Sequence, residues 1–224
     1  MFVGERIVWS GCNECAAQLI ERENRAFAIE AERLYNRRLF NAARIPKRFE
    51  NKGLENYRVE NKGQENALNV ALQYVDDLDL NLSNGSGLLF YGASGTGKTH
   101  LAIGIGKKFL EVNLSVMYVR ASSIIREVKE SWSKESKRKE SDLFAKLGEL
   151  DLLIVDELGR QFGTATERMI LFELINGRYE QMKPTIGITN LDGANLAECL
   201  GFATLDRLRE KGKSVCFDWK SFRS

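Results

Sequence analysis

The sequence predicts an α/β protein: five parallel strands flanked by helices, preceded by a helical arm. Three observations predict it. First, the apolar run Leu88-Leu89-Phe90-Tyr91 feeds into Gly92-Ala93-Ser94-Gly95-Thr96-Gly97-Lys98-Thr99, and an apolar helical face leaves it through Leu101-Ala102-Ile103, Ile105 and Phe109-Leu110. Strand, glycine-rich turn and helix in that order begin a parallel crossover unit. Second, four further β-prone runs at 115–120, 152–156, 184–190 and 215–219 alternate with helical stretches at 122–132, 141–150, 166–182 and 196–210, the last broken near Gly201. Strands alternating with helices make a parallel sheet covered on both faces. Third, from Cys12 to about Phe40 a charged helical stretch carries Ile20, Phe27 and Leu34 every seven residues, a narrow apolar stripe before the sheet begins.

The totals agree with a globular chain. It has 224 residues, 43% apolar and 29% charged, with a formal net charge of +2. That length buries one substantial core plus a smaller appendage. A net charge this small does not announce nucleic acid, so any such surface must come from local clustering. No run of about 18 apolar residues predicts a membrane span, and the N-terminus, with Glu5, Arg6 and Trp9, lacks the apolar stretch of a secretory signal. Four cysteines at 12, 15, 199 and 216 are too few and too unevenly spread for a disulfide framework, which points to a reducing cytoplasm.

Taken in order, residues 1–11 read as a short β-prone start ending at Ser10-Gly11, and the long arm helix follows. Residues 41–59 are irregular and basic around Ile45-Pro46-Lys47-Arg48-Phe49, which places a boundary there: an arm over 1–44 and a nucleotide domain over 45–224. A helix is expected from about Gly63 to Leu78, then a loop at Leu82-Ser83-Asn84-Gly85-Ser86-Gly87 before the first strand.

The glycine-rich stretch fits the phosphate-cradling pattern G-x-x-x-x-G-K-[ST] without a mismatch. Glycines let successive backbone N–H groups turn toward phosphate oxygens, and the following helix N-terminus adds partial positive charge. Lys98 is placed to reach the β- and γ-phosphates of ATP, and the Thr99 hydroxyl to help hold Mg²⁺. His100, directly after the loop, reads as a residue packed beside the nucleotide rather than a catalyst. Asp151-Leu152-Leu153-Ile154-Val155-Asp156-Glu157 is a buried strand ending in two carboxylates. Strand side chains alternate faces, so the two cannot share one task. Asp156 is the Mg²⁺ candidate, and Glu157 the candidate to polarise water for attack on the γ-phosphate. Thr189 or Asn190, closing another strand, is positioned to orient that water. Arg207 and Arg223 are candidates to neutralise transition-state charge, one of them from a neighbouring subunit.

The ordered set is more specific than a phosphate loop alone. Glu55-Asn56-Tyr57-Arg58-Val59, Gly63-Gln64, the loop Gly92 to Thr99, Asp156-Glu157-Leu158-Gly159, Thr189-Asn190, Asp206-Arg207 and Trp219-Lys220-Ser221-Phe222-Arg223 together resemble the DnaC-type replicative helicase loaders of the AAA+ ATPases, phage and prophage versions included. The likeness runs from about Ile20 to the C-terminus and includes Glu21-Arg22-Glu23-Asn24-Arg25-Ala26. It implies an AAA+ P-loop NTPase fold and an ATP- and Mg²⁺-dependent ATPase of the bacterial cytoplasm. The resemblance makes Asn190 the first sensor, Arg207 the trans-acting arginine finger and Arg223 the second sensor. It also implies an N-terminal region that grips a DnaB-type helicase hexamer, a module that binds single-stranded DNA, and self-association on the helicase.

Two features stand beside that pattern. The stretch from Lys129 through Trp132 and Lys134 to Lys137-Arg138-Lys139 sets an aromatic among cations. Such a mixture suits sequence-tolerant single-strand binding, bases stacking on the ring while lysines track phosphates. Cys12 and Cys15 have the spacing of a zinc ligand pair, but tetrahedral Zn²⁺ takes four ligands. Related loaders resemble this chain here and carry a further pair upstream, so either the site is incomplete, the chain begins downstream of its partner pair, or two chains share one metal. Two rival functions are an IstB-like transposition helper with the same module and another client, and a non-hydrolysing, ATP-switched DNA-binding adaptor. Glu157 and Arg207 count against the second.

Overall fold

The structure is a computed structural model and describes residues 13–160 and 164–222. The β-prone start at 1–11 lies outside the described residues. Two compact units are present, Met1–Arg38 and Leu39–Ser224.

Among the described residues, the first unit is helix α1 (Asn13–Ala42) as far as Arg38. Its sequence is rich in Ala, Glu, Arg and Leu, strong helix formers whose opposite charges lie at helical spacing. Ile20 and Phe27 of the stripe are 57% and 77% exposed, and Ile29 and Tyr35 are exposed as well.

The second unit is a five-stranded sheet in the order β2-β3-β4-β1-β5, every pairing parallel. The strands are β1 (Leu88–Gly92), β2 (Val116–Arg120), β3 (Leu152–Leu158), β4 (Thr185–Thr189) and β5 (Lys213–Phe217). The helices are α2 (Lys62–Asp76), α3 (Leu78–Asn84), α4 (Lys98–Glu111), α5 (Ala121–Ser131), α6 (Glu140–Gly148), α7 (Ala165–Glu180), α8 (Gly193–Leu200) and α9 (Phe202–Glu210). Alternation along the strands divides the core. Leu88, Phe90, Ile154, Ile186 and Phe217 pack with Ala67, Ala71, Leu101 and Ile105 of α2 and α4. Leu89, Val119, Leu153 and Val155 face the other way onto Ile124, Leu171, Leu174 and Leu208 of α5, α7 and α9. The backbone N–H of Tyr118 on edge strand β2 donates to Ala43 O at 2.8 Å, so the segment after α1 covers part of that edge.

Two local expectations shift. Residues 82–84, read as loop, end α3. Leu78 and Leu82 pack on the core, the Asn81 amide donates to Tyr74 O at 2.8 Å, and Gly85 terminates the helix at φ 72°. The last strand is Lys213–Phe217 rather than 215–219, because β1 pairs from Leu88↔Lys213 to Gly92↔Phe217 and then runs out. Parallel register sets the strand C-termini along one edge, with Arg120 beside Asp156 and Gly92 beside Phe217. In an open parallel sheet that edge is where ligands bind.

Candidate nucleotide site

A cleft of about 550 Å³ opens on this edge. Its floor is Ser94–His100, between β1 and α4, and Arg120, Asp156, Glu157, Ile188 and Asn190 also line it. The loop is held open by backbone geometry only glycine adopts with ease. Gly92 lies at φ 117°, where a Cβ would sit 2.5 Å from Phe217 O, and Gly97 at φ 96°, where a Cβ would sit 2.6 Å from the Tyr57 ring. Three residues distant in sequence fasten it. The Tyr57 hydroxyl (3.2 Å) and the Trp219 indole N–H (3.0 Å) both donate to Thr96 O, and the Phe222 N–H donates to Gly95 O at 2.9 Å.

Lys98 is buried, its ammonium donating to Gly92 O at 2.8 Å and to Ala93 O. The Thr99 hydroxyl donates to Asp156 Oδ2 at 3.1 Å, and the buried Tyr118 hydroxyl donates to the same oxygen at 2.7 Å. Burial, with the Asp156 carboxylate beside it, pushes the Tyr118 phenol above its ordinary pKa, so it stays a donor. A hydroxyl and a carboxylate meeting at one point are hard oxygen donors of the kind Mg²⁺ takes alongside phosphate oxygens. Thr99 and Asp156 therefore fit that ion.

Glu157 occupies the left-handed region at φ 59°, unusual for a residue with a Cβ. Its carboxylate lies 3.1 Å from Arg160 Nη1 and 3.8 Å from Arg120 Nε. Sequence reading missed both arginines. The signal was available for Arg120, since a residue ending one parallel strand lies beside the residue ending the next. Between the two polar candidates on β4, the Thr189 hydroxyl is buried and donates to Leu158 O at 2.7 Å, while Asn190 is exposed and lines the cleft. His100 lines it too, with Nε2 2.8 Å from Gly53 O and its ring edge-on to Tyr57.

The remaining candidates lie elsewhere. Arg207 does not line this cleft. Its guanidinium bonds Asn176 Oδ1 (3.2 Å) and Glu210 (3.1 Å) and lies over the Tyr179 ring. Arg223 lies outside the described residues. The Lys129 ammonium pairs with buried Glu167 at 3.0 Å, while Trp132 (50% exposed), Lys134, Lys137, Arg138 and Lys139 are all exposed. The Trp132 indole N–H donates to Glu140. Cys12 lies outside the described residues, and the side chain of Cys15 is likewise not described. Among the described residues no group of three or more His, Cys, Asp or Glu forms a metal-holding cluster, and no helix is long and apolar enough to cross a membrane.

Comparison with known proteins agrees with this geometry. The model of the family described as "IstB-like ATP binding protein" matches residues 12–224. The replicative helicase loader DnaC of Escherichia coli (strain K12) is 36% identical over 207 residues, spanning 92% of this chain and 80% of that protein. DnaC of Buchnera aphidicola subsp. Schizaphis graminum is 30% identical over 210 residues, spanning 93% and 81%. Among solved structures, the crystal structure of the DnaC helicase loader matches with a TM-score of 0.69 at 24% identity, covering 77% of this chain and all of that one. The replication initiator DnaA bound to AMPPCP and single-stranded DNA matches at 0.65 and 22%, covering 76% of this chain and 51% of that one. At these identities the structural matches establish the AAA+ fold. With a phosphate loop, a paired Thr99–Asp156 and an adjacent Glu157 on that fold, the chain is an ATP-binding AAA+ ATPase and belongs to the IstB-like family, among its DnaC-type helicase loaders.

Proposed function

We propose that this protein loads a DnaB-type replicative helicase hexamer onto single-stranded DNA in the bacterial cytoplasm, driven by ATP at a site completed between copies of the chain. The observation that carries the reading is the joining of an intact nucleotide site to a helix whose apolar stripe stands exposed at Ile20 and Phe27. An ATPase needing only its own substrate has no use for such a stripe, whereas a docking helix does. The identity to proteins named replicative helicase loader supports the same client. We take residues 1–44 as the docking arm and 45–224 as the ATPase module.

The chemistry assigned to the chain's own residues is as follows. Lys98 exchanges its carbonyl partners Gly92 and Ala93 for β- and γ-phosphate oxygens, and backbone N–H groups of Gly95 to Lys98 cradle the β-phosphate. Thr99 and Asp156 would hold Mg²⁺, which would supply Lewis-acid neutralisation of phosphate charge. Glu157 accepts a proton from the water that attacks the γ-phosphorus, Asn190 orients that water, and the bond to the β-bridging oxygen breaks to release ADP and phosphate. Arg207, remote from its own cleft, serves the cleft of a neighbouring copy, and Arg223 acts as the second sensor. Trp132 offers a face for base stacking and Lys134 a phosphate contact, with Lys129 holding the turn that presents them. No step of this scheme is routed through zinc.

The test is co-purification with a replicative helicase hexamer, comparing the intact chain with an Ile20→Asp/Phe27→Asp variant. Loss of helicase binding with ATPase activity retained is the expected result. If the unmodified chain hydrolyses ATP yet binds no helicase, the loader reading fails and the transposition helper takes its place.

A further inference from the structure

Lys107 lies outside the nucleotide cleft, yet its ammonium grips one of the cleft's walls. That wall is the segment 47–57, built on two short 3₁₀ turns, Lys47–Phe49 and Leu54–Asn56. It contributes Arg48, Phe49, Lys52, Asn56 and Tyr57 to the lining. Its backbone hydrogen bonds are local, Phe49 N to Pro46 O, Glu50 N to Lys47 O, Lys52 N to Phe49 O and Tyr57 N to Leu54 O. Bonds of that kind shape the turns but do not say where they sit on the body of the domain.

Helix α4 supplies the position along one face. His100, Gly104 and Lys107 recur at i, i+4 and i+7, the spacing of neighbours on a single helical surface. His100 Nε2 lies 2.8 Å from Gly53 O and 3.0 Å from Asn56 Oδ1. A Cβ at Gly104 would lie 2.7 Å from Leu54 Cδ2 and 3.0 Å from Leu54 N, so the missing side chain lets the wall sit directly on the helix. Lys107 Nζ donates to Phe49 O at 2.9 Å and to Glu50 O at 2.6 Å. These carbonyls close a short helical turn, where cations are favoured. The Phe40 ring lies 5.5 Å from the same ammonium. A surface lysine with nothing to hold would leave its ammonium in water. This one is partly desolvated between two carbonyls and a ring.

We infer that Lys107 is a positioning residue for nucleotide binding: through the Phe49 and Glu50 carbonyls it holds the 47–57 wall in place for the nucleoside end of ATP, without touching the nucleotide. The division of labour follows from the cleft. Gly95 to Lys98, Thr99 and Asp156 serve the phosphates, which leaves the wall, with Phe49, Tyr57 and Asn56, as the surface suited to a base and ribose. The inference rests on the assignment of this cleft to ATP.

The test compares full-length chains carrying Lys107→Met, Lys107→Arg or Lys98→Ala. Affinity for ADP and for inorganic tripolyphosphate, a probe with no nucleoside, is measured by competition against a fluorescent ATP analogue. Lys107→Met is expected to weaken ADP about tenfold, the equivalent of ~1.4 kcal/mol, while tripolyphosphate stays within about twofold. Lys107→Arg should restore most of the loss, and amide exchange in 47–57 should quicken in Lys107→Met while the sheet is unchanged. Unaltered ADP affinity overturns the inference, and so does a parallel loss of both ligands, which marks a general structural role. If Lys107→Met does not fold, Lys107→Gln is read by the same criteria, and failure of both variants to fold assigns the residue to the core and also overturns it. Retention of ADP and tripolyphosphate binding by Lys98→Ala would instead refute the cleft assignment beneath it.

Discussion

Replacing Arg178 with Met should cost this protein a large share of its stability. Arg178, near the end of α7, is fully buried, and its guanidinium donates to Leu147 O (2.6 Å), Gly148 O (3.1 Å), Leu150 O (2.9 Å), Pro184 O (2.6 Å) and Thr185 Oγ1 (3.0 Å). Leu147 and Gly148 end α6, whose last carbonyls have no intrahelical partner, so the arginine caps that helix from another element. Burial pulls its pKa down to about 10, with Asp151 and Tyr74 opposing, and the group stays charged at neutral pH. Met keeps the stem volume but removes the donor from four carbonyls: Leu147 O and Gly148 O are buried, Leu150 O is part-buried, and Pro184 O keeps the Leu153 N–H. A buried acceptor left unpaired costs about 1–3 kcal/mol, and relief from desolvating the guanidinium offsets part of the sum. The net loss is roughly 3–5 kcal/mol, against a total of about 5–15 kcal/mol for a folded domain. In a unit of this size that lowers Tm by roughly 10 °C or more. Urea unfolding followed by circular dichroism measures it, with an unchanged m-value as the check that the unfolded reference is the same. Arg178→Lys should recover little, because one ammonium cannot span the fork. A loss below about 1 kcal/mol would refute the account of Arg178 as the tie between α6, α7 and β4.

The other expectations concern the site. Glu157→Gln should lower ATP hydrolysis by about 100-fold or more while the Kd for ATP stays within about threefold, because the amide cannot take the water's proton; steady-state turnover and nucleotide titration separate the two. Gly97→Ala should weaken nucleotide binding by at least about tenfold in calorimetric titration, since it combines a positive φ with a Cβ 2.6 Å from the Tyr57 ring. Arg207→Ala should be inactive alone, yet mixing it with Lys98→Ala should restore some turnover, because each supplies what the other lacks at a shared site; no recovery at any ratio would place Arg207 outside the reaction. His100 provides a pH test. Burial holds its pKa below the ordinary histidine value, with Lys52 and Lys107 acting the same way and the Gly53 carbonyl against. The fold thus prefers the neutral ring. Its contribution is complete above about pH 6.5, the unfolded value, and is lost as pH falls toward the lower folded one. His100→Asn should flatten that part of the stability profile, read from Tm between pH 5 and about pH 7.5.

The sequence by itself determined the fold class and the ATP-binding character of the site, because both are written in short, local patterns. A phosphate loop is contiguous, from Gly92 to Thr99, and the Asp156-Glu157 pair announces itself at the end of an apolar strand. Period-two and helical spacing placed the five strands and nearly every helix, and Ile20 and Phe27 were visible as an apolar stripe, whose exposure only the structure shows. The tertiary structure decided whatever depends on partners distant in the chain. Only the fold shows that Trp219 and Tyr57 converge on one carbonyl of the loop, more than 100 residues apart in the first case. Strand register, which the strand assignments foreshadowed, brings Arg120 to Glu157, whereas packing alone turns Lys129 toward Glu167. Arg178 and Lys107 make the same point. In sequence each is one cation among 33, and nothing in composition or spacing distinguishes a solvated arginine or lysine from one that gathers main-chain carbonyls. Those carbonyls belong to backbone whose position is set by long-range burial of apolar side chains, so their convergence exists only once the core has formed.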